Sequence, residues 1–449
     1  MPFYGLLLIL VLSPLPFASN RPWSWSLLSL LIALVTLSWC ISVLLAKRNM
    51  KFHFDKIKIP FFLFISTLLW AAFQSTSFIP DTWGHPLWQI TSQALNITIP
   101  ARISLAPDQT ITAFMRLLSY GMIFILAMYY CQRSENAEKL FNWLAIAGFI
   151  YAAYGLIIFF GGFDKILWFD KWSYHHDVTS TFVNRNSYAT YAGLGLLCLI
   201  PNILRQLKTS ASYSLQTNYG KQKFIETLIT RAWRPILMLF TLGTALLLTH
   251  SRGGFLSTTL AIISLFVILA LSNKLRTKAF SYTSIAFIVI AITLFTVSGD
   301  KVMQRMGQFT SAKAERTKVY DATLNGIATN PYLGFGYGSY EHSFRLYRSK
   351  DIRMTYDKAH NTYLENIFEL GIPAASALFL SILLIALKCL TGIWSRQRNW
   401  IYPALGFSSS VLVAAHSFVD FSLQIPAVAV TYAAILGAGF AQSFSSKRR

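Results

Sequence analysis

The chain has 449 residues, 54% hydrophobic and 13% charged, with a net charge of +21. A soluble domain carries about 25% charged residues, so this composition excludes an ordinary soluble protein and indicates an integral membrane protein. The cationic excess fits cytoplasmic loops against anionic lipid and a basic site for an anionic ligand; with no basic stripe on a soluble domain, nucleic acid is not an expected partner.

A membrane-crossing helix needs about 20 mostly apolar residues. Twelve segments qualify, at roughly 3–18, 24–46, 59–76, 111–131, 140–162, 187–203, 233–249, 254–271, 280–298, 363–387, 401–417 and 424–442. The opening MPFYGLLLILVLSPLPFASN lacks a basic n-region and a small-x-small cleavage site, so it reads as an uncleaved first helix. Cys40, Cys131, Cys198 and Cys389 lie in or beside apolar segments, with neither zinc nor disulfide spacing.

Orientation follows the loop cations. The stretch LAKRNMKFHFDKIK, the segment 204–234 (Arg205, Lys208, Lys221, Lys223, Arg231, Arg234), Lys274 with Arg276 and Lys278, Lys388 with Arg396 and Arg398, and the terminal Ser-Ser-Lys-Arg-Arg all fall on one side of a twelve-helix layout. That side is cytoplasmic, with both termini. The loops 77–110, 163–186, 249–253, 299–362 and 418–423 fall on the outer side. The expected division is 1–298 for nine helices, 299–362 for one large outer loop with short helices, and 363–449 for three helices and a basic tail.

Polar elements gather on the outer side. TFVNRNSYATY places Arg185 and Asn186 at a helix start. THSRGGF joins two apolar helices through His250, Ser251, Arg252, Gly253 and Gly254. An arginine at that depth should face a cavity or a partner, and the free N–H groups of a helix start favour an anion. In the large loop, Arg316 precedes a short amphipathic stretch. GFGYGS reads as a compact turn, since it lacks both the Rossmann context and the Gly-Lys-Ser/Thr of a P-loop. His360 follows, with Asn361, Glu365 and Glu369 spaced to share a helix face. HSFVDFSLQIPA adds His416 and Asp420, and Arg116 is a further membrane-embedded cation. Arginines aimed at one point repel unless an anion lies between them, and guanidinium suits phosphate oxygens. A lipid-linked diphosphate is the anion found at this depth. With no Asp-x-Asp and no metal spacing, arginines rather than a metal ion are expected to hold it, and no cofactor is expected.

The ordered set Asn184-Arg185-Asn186, Ser251-Arg252-Gly253-Gly254, Arg316 with Pro331-Tyr-Leu-Gly-Phe-Gly-Tyr-Gly, His360-Asn361-Thr-Tyr-Leu-Glu365 through Gly371-Ile-Pro373, and His416-Ser-Phe-Val-Asp420 resembles the O-antigen ligase and polymerase superfamily of bacterial membrane glycosyltransferases. The resemblance implies an all-α inner-membrane enzyme whose large loop, between helices 9 and 10, is periplasmic. It implies transfer of a glycan from undecaprenyl diphosphate to an acceptor hydroxyl. Arg185, Arg252, Arg316 and Arg116 would bind the diphosphate, with Arg185 and Arg252 also catalytic. His360 would be the base. Asn186, His250, Asn361, Glu365 and Asp420 would support them. The acceptor divides the readings: a lipid A-core for a ligase, another lipid-linked repeat for a polymerase, a Ser or Thr for a protein O-oligosaccharyltransferase. The late position of the large loop favours the ligase. A transporter or flippase of lipid-linked sugars also needs membrane cations, but it predicts paired broken helices at the midplane, and no such pair is seen.

Overall fold

A computed structural model describes residues 2–45, 54–210, 222, 226, 230, 233–274, 306–352 and 355–444. The described residues are mostly helical. The helices are α1 (Pro2–Leu12), α2 (Pro22–Leu45), α3 (Lys58–Gln74), α4 (Pro86–Leu95), α5 (Pro107–Tyr130), α6 (Ser134–Phe160) and α7 (Arg185–Ser210). They continue with α8 (Trp233–Leu248), α9 (Arg252–Leu271), α10 (Met306–Thr329), α11 (Tyr340–Ser343), α12 (Thr362–Ser395), α13 (Ile401–Ser417) and α14 (Pro426–Ala441). The one exception to the all-α expectation among the described residues is a two-stranded hairpin, β1 (Lys165–Ile166) with β2 (Phe169–Asp170).

The predicted helix 280–298, the start of the large loop at 299–305, Lys221, Lys223, Arg231, Arg276, Lys278 and the 445–449 tail lie outside the described residues. The other predicted segments coincide with helices. Six described helices are long and apolar enough to cross a membrane: α2, α5, α6, α7 as far as Arg205, α9 and α12. Four more apolar helices, α1, α3, α8 and α14, are shorter. The first segment stops at Leu12 rather than 18, because Pro14 and Pro16 cannot continue the ladder and Phe17–Ser19 turn left-handed. Arg316 lies within α10 instead of ahead of a short helix, since that helix already runs from Met306.

The core is organised on α14, which is buried on every face from Pro426 to Phe440. A helix apolar all round belongs in the centre. It packs closely on α5: a Cβ at Gly437 would stand 2.5 Å from the Phe124 carbonyl oxygen. Small residues permit this approach where lipid gives no hydrophobic drive to association.

The sequence predicts an unbroken helix over 363–387, but α12 breaks at Gly371 (φ 77°, ψ 162°), just before Pro373. The GFGYGS turn docks into the break. Phe335 N–H donates to Phe368 O (3.1 Å), Gly336 N–H to Glu369 O (3.0 Å) and Ile372 N–H to Pro331 O (2.8 Å). Gln74 donates to Leu333 O (2.7 Å) and Glu369 O (2.9 Å), and Trp70 Nε1 to Leu370 O (2.9 Å). Freed backbone groups at membrane depth must find partners inside the protein, and the glycine turn with α3 supplies them. Its N–H groups are thereby committed to oxygens of the protein, that of Gly338 to the Glu369 carboxyl, as a turn and not as a phosphate cradle.

Helix ends sort into two groups. At one end Lys274 Nζ donates to Arg396 O (2.7 Å), and Arg396 donates to Phe444 O (2.6 Å) and Gln442 Oε1 (3.0 Å). Lys56 and Lys388 stand over the Phe444 ring, and Arg205 pairs with Glu138. These belong to the loops that the charge rule assigns to one side. The starts of α7, α9 and α12 and the ends of α8 and α13 meet at the other end.

Candidate active site

Asp177, in the loop before α7, is buried and takes a guanidinium and an imidazole at once. Arg185 donates to its Oδ2 (2.8 Å) and the His250 imidazole stands 2.7 Å from its Oδ1. Burial pushes the carboxyl up, but the bonds from His250 and Arg185 outweigh it and hold Asp177 below the ordinary carboxylate range. Arg185 also lies over the Tyr174 ring, 5.4 Å from its centroid.

Asp420, in the turn after α13, is the second carboxylate, fully buried. His360 Nδ1 faces its Oδ1 at 3.5 Å, beyond a well-formed hydrogen bond. Ser422 donates to Asp420 Oδ2, and Asn186 Nδ2 to Oδ1 at 3.3 Å. Burial raises the Asp420 carboxyl, while His360, His416 and Ser422 together hold it below its usual value. His360 edges onto Phe421, with ring centroids 5.0 Å apart, and its carbonyl accepts from Tyr320 of α10 (3.0 Å).

The two carboxylates belong to one constellation. Asn186, next to Arg185, donates to Asp420 and accepts from Ser251 Oγ (2.8 Å), which also caps α9 at Gly254 N–H (3.2 Å). Arg252 is the first residue of that helix, so it rises from this cap and is exposed. Arg316, exposed on α10, is felt by Tyr174 and Tyr320. Tyr174 senses the whole cluster: burial raises its phenol, Arg185 and Arg316 pull it down, and Asp420 and Asp177 push it up.

The backbone is strained here. Tyr174, Ser180, His250 and His360 all have φ between 50° and 57° without being glycine. Each such residue costs about 1–3 kcal/mol and persists where surrounding contacts over-determine it.

The expected residues thus separate. Arg185, Asn186, His250, Arg252, Arg316, His360 and Asp420 come together. Asn361 is the cap of α12, its Oδ1 accepting from Tyr363 N–H (3.0 Å) and Leu364 N–H (3.1 Å), and so it precedes the helix face it was expected to share. Glu365 is buried and takes Lys358 (3.2 Å) and Ala359 N–H (2.8 Å), and so ties down the residues that lead into His360. Glu369 accepts from Tyr340 N–H (2.9 Å). Arg116 lies over Trp25, 4.9 Å from its ring centroid, beside Tyr120 and Tyr337, and its described neighbours are not those of the cluster. His416 is buried at the bundle end, 2.5 Å from Thr190 Oγ1 and against Gly253.

Asp177, Tyr174 and Tyr320 were not singled out from the sequence. Only Asp177 carried a local signal, an acid eight residues before Arg185. Among the described residues, no three His, Cys, Asp or Glu side chains form a metal-holding group.

A comparison with curated proteins gives no match. The family model described as O-Antigen ligase matches residues 237–380, 144 of the 449 residues. The match runs from α8 across the Ser251–Gly254 cap, α10 and His360, and past the Gly371 break. By this match, the segment that supplies His250, Arg252, Arg316 and His360 is similar to the O-antigen ligase family.

Proposed function

We propose that the protein is a glycosyltransferase that moves a glycan from undecaprenyl diphosphate to a hydroxyl of a lipid A-core. It works at the periplasmic face of the bacterial inner membrane, with both termini cytoplasmic. The observation that carries this reading is the arrival of Arg185, His250, Arg252, Arg316 and His360 from separate segments around two buried carboxylates. Arg252 and Arg316 stand exposed beside the engaged carboxylates, and a guanidinium fork suits phosphate oxygens.

In the reaction, the acceptor oxygen bonds to the anomeric carbon as the carbon–oxygen bond to the diphosphate breaks. Charge builds on the departing diphosphate. Arg185, Arg252 and Arg316 stabilise it there, and losing one such preorganised donor costs about 10²–10³ in rate. His360 takes the acceptor proton. With Nδ1 toward Asp420, the proton goes to Nε2, and the carboxylate stabilises the imidazolium that forms.

The test uses purified protein, a lipid-diphosphate-linked glycan and core-only lipopolysaccharide. Arg252→Ala and His360→Ala should abolish transfer while inserting normally; full activity in an inserted His360→Ala protein removes it as the base. Transfer that persists in excess EDTA agrees with diphosphate held by arginines, and loss restored by Mg²⁺ overturns that part. In cells lacking the gene, lipid-linked polymer accumulating beside a bare core indicates a ligase. A core bearing one repeat indicates a polymerase.

A further inference from the structure

His416 has no part in the chemistry set out above, yet its ring is buried at the end of α13, only 2% exposed. A polar ring withdrawn so far from water is costly unless its hydrogen bonds are made. Nδ1 lies 2.5 Å from Thr190 Oγ1 and 3.4 Å from Ser422 Oγ. Both hydroxyl protons have other acceptors. That of Ser422 goes to Asp420 Oδ2, and that of Thr190 to Asn186 O (3.2 Å). Only a proton on His416 Nδ1, shared between the two hydroxyl oxygens, is consistent with all of these contacts at once.

The two hydroxyls lead to the two oxygens of one carboxylate. Ser422 meets Asp420 Oδ2 directly. Thr190 ties the ring to the first turn of α7, where Asn186 Nδ2 donates to Asp420 Oδ1 (3.3 Å). The His416 carbonyl accepts the Asp420 N–H (3.0 Å), and Thr362 Oγ1 donates to the Asp420 carbonyl (3.0 Å). The Cδ2–Nε2 edge of the ring lies on the start of α9: a Cβ at Gly253 would stand 3.1 Å from both of these atoms. One buried side chain thus touches the starts of α7 and α9 and the turn that carries Asp420.

We propose that His416 is a positioning residue. Its Nδ1–H fixes the hydroxyls of Ser422 and Thr190, and through them the two contacts that aim Asp420 at His360. It touches neither the acceptor nor the departing diphosphate. That role in turnover rests on the transferase reading, whereas the contacts themselves are measurable by stability, so the two can fail separately.

The experiment is a double-mutant cycle in the full protein between His416→Leu and Asp420→Asn. It is read as kcat, with a lipid-diphosphate-linked glycan and core-only lipopolysaccharide, and separately as melting temperature in detergent. His416→Leu should lower kcat about tenfold, the scale of one lost hydrogen bond to a charged group, with the donor KM within about twofold. In the Asp420→Asn background the same change should cost less than about twofold, since the carboxylate it positions has lost its charge. His416→Asn, whose amide N–H can replace Nδ1–H, should recover most of kcat, which packing alone would not do. Ser422→Ala should reproduce the loss, and it stands in if His416→Leu does not insert. Losses in kcat that multiply overturn the proposal, as does wild-type kcat in an inserted Ser422→Ala protein. His416→Asn no better than His416→Leu overturns it too. Melting-temperature losses that simply add overturn the contact network whatever the activity. Losses that do not add, in a protein whose wild type transfers nothing, would leave the network standing and sink the transferase reading.

Discussion

Replacing Asp177 with Asn keeps the side chain's shape but removes its charge, leaving Arg185 without its counter-ion and His250 without its carboxylate partner. Each charge-assisted hydrogen bond is worth about 1.5–3 kcal/mol. The Arg185 side chain is 33% exposed and that of His250 49%, so water screens part of this loss. A net cost of about 2 kcal/mol follows after that discount. If it falls on the placement of Arg185 against the departing diphosphate, kcat/KM for the donor drops about 30-fold. The assay is initial-rate transfer at varied donor and saturating acceptor, with insertion and thermal unfolding measured alongside. Asp177→Asn within twofold of wild type, correctly folded, would refute the idea that this carboxylate holds the arginine. Acid offers a second check. The folded Asp177 pKa is lowered, so its stabilisation is complete above the unfolded value of about 3.9 and fades as pH falls through the folded value. Wild type and Asp177→Asn should converge in that acid range.

Asp420 is lowered in the same sense, so Asp420→Asn should blunt the loss of native signal below about pH 4, read by near-UV circular dichroism; an unaltered acid profile counts against its pairing with His360. Gly371→Ala would put a Cβ 2.2 Å from the Tyr332 carbonyl at φ 77°, and should destabilise by about 2–4 kcal/mol, seen as lower thermal stability in detergent. Normal stability would mean that the break is not locked by the glycine turn. Arg116→Ala should change the donor KM less than twofold, because its guanidinium is seated on Trp25; a tenfold rise would return it to the diphosphate site.

Much of this molecule is written locally. A segment such as 254–271, which falls in a helix long and apolar enough to cross a membrane, is readable because hydrophobic length is set by the bilayer and needs no tertiary partner. Arg185, Arg252 and His360 stood out because cations and imidazoles are costly inside apolar sequence. The break in α12 was not legible: Gly371 and Pro373 permit a kink, but only the docking of Gly334 and Gln74 makes it cheap to hold. Nor could the sequence separate Arg116 from the other arginines. All are buried-segment cations by composition, and only the packing of α2 against α5 gives Arg116 its own aromatic partner. Asp177 and Asp420 lie 243 residues apart, yet Asn186 and Tyr174 bind them into one constellation. The sequence alone determined the membrane class, most helix positions and the chemistry of the charged residues, because these follow from transfer free energy along a short window. Which charges share a counter-ion was decided only by the fold, because Coulomb energy depends on distance in space and is blind to distance along the chain.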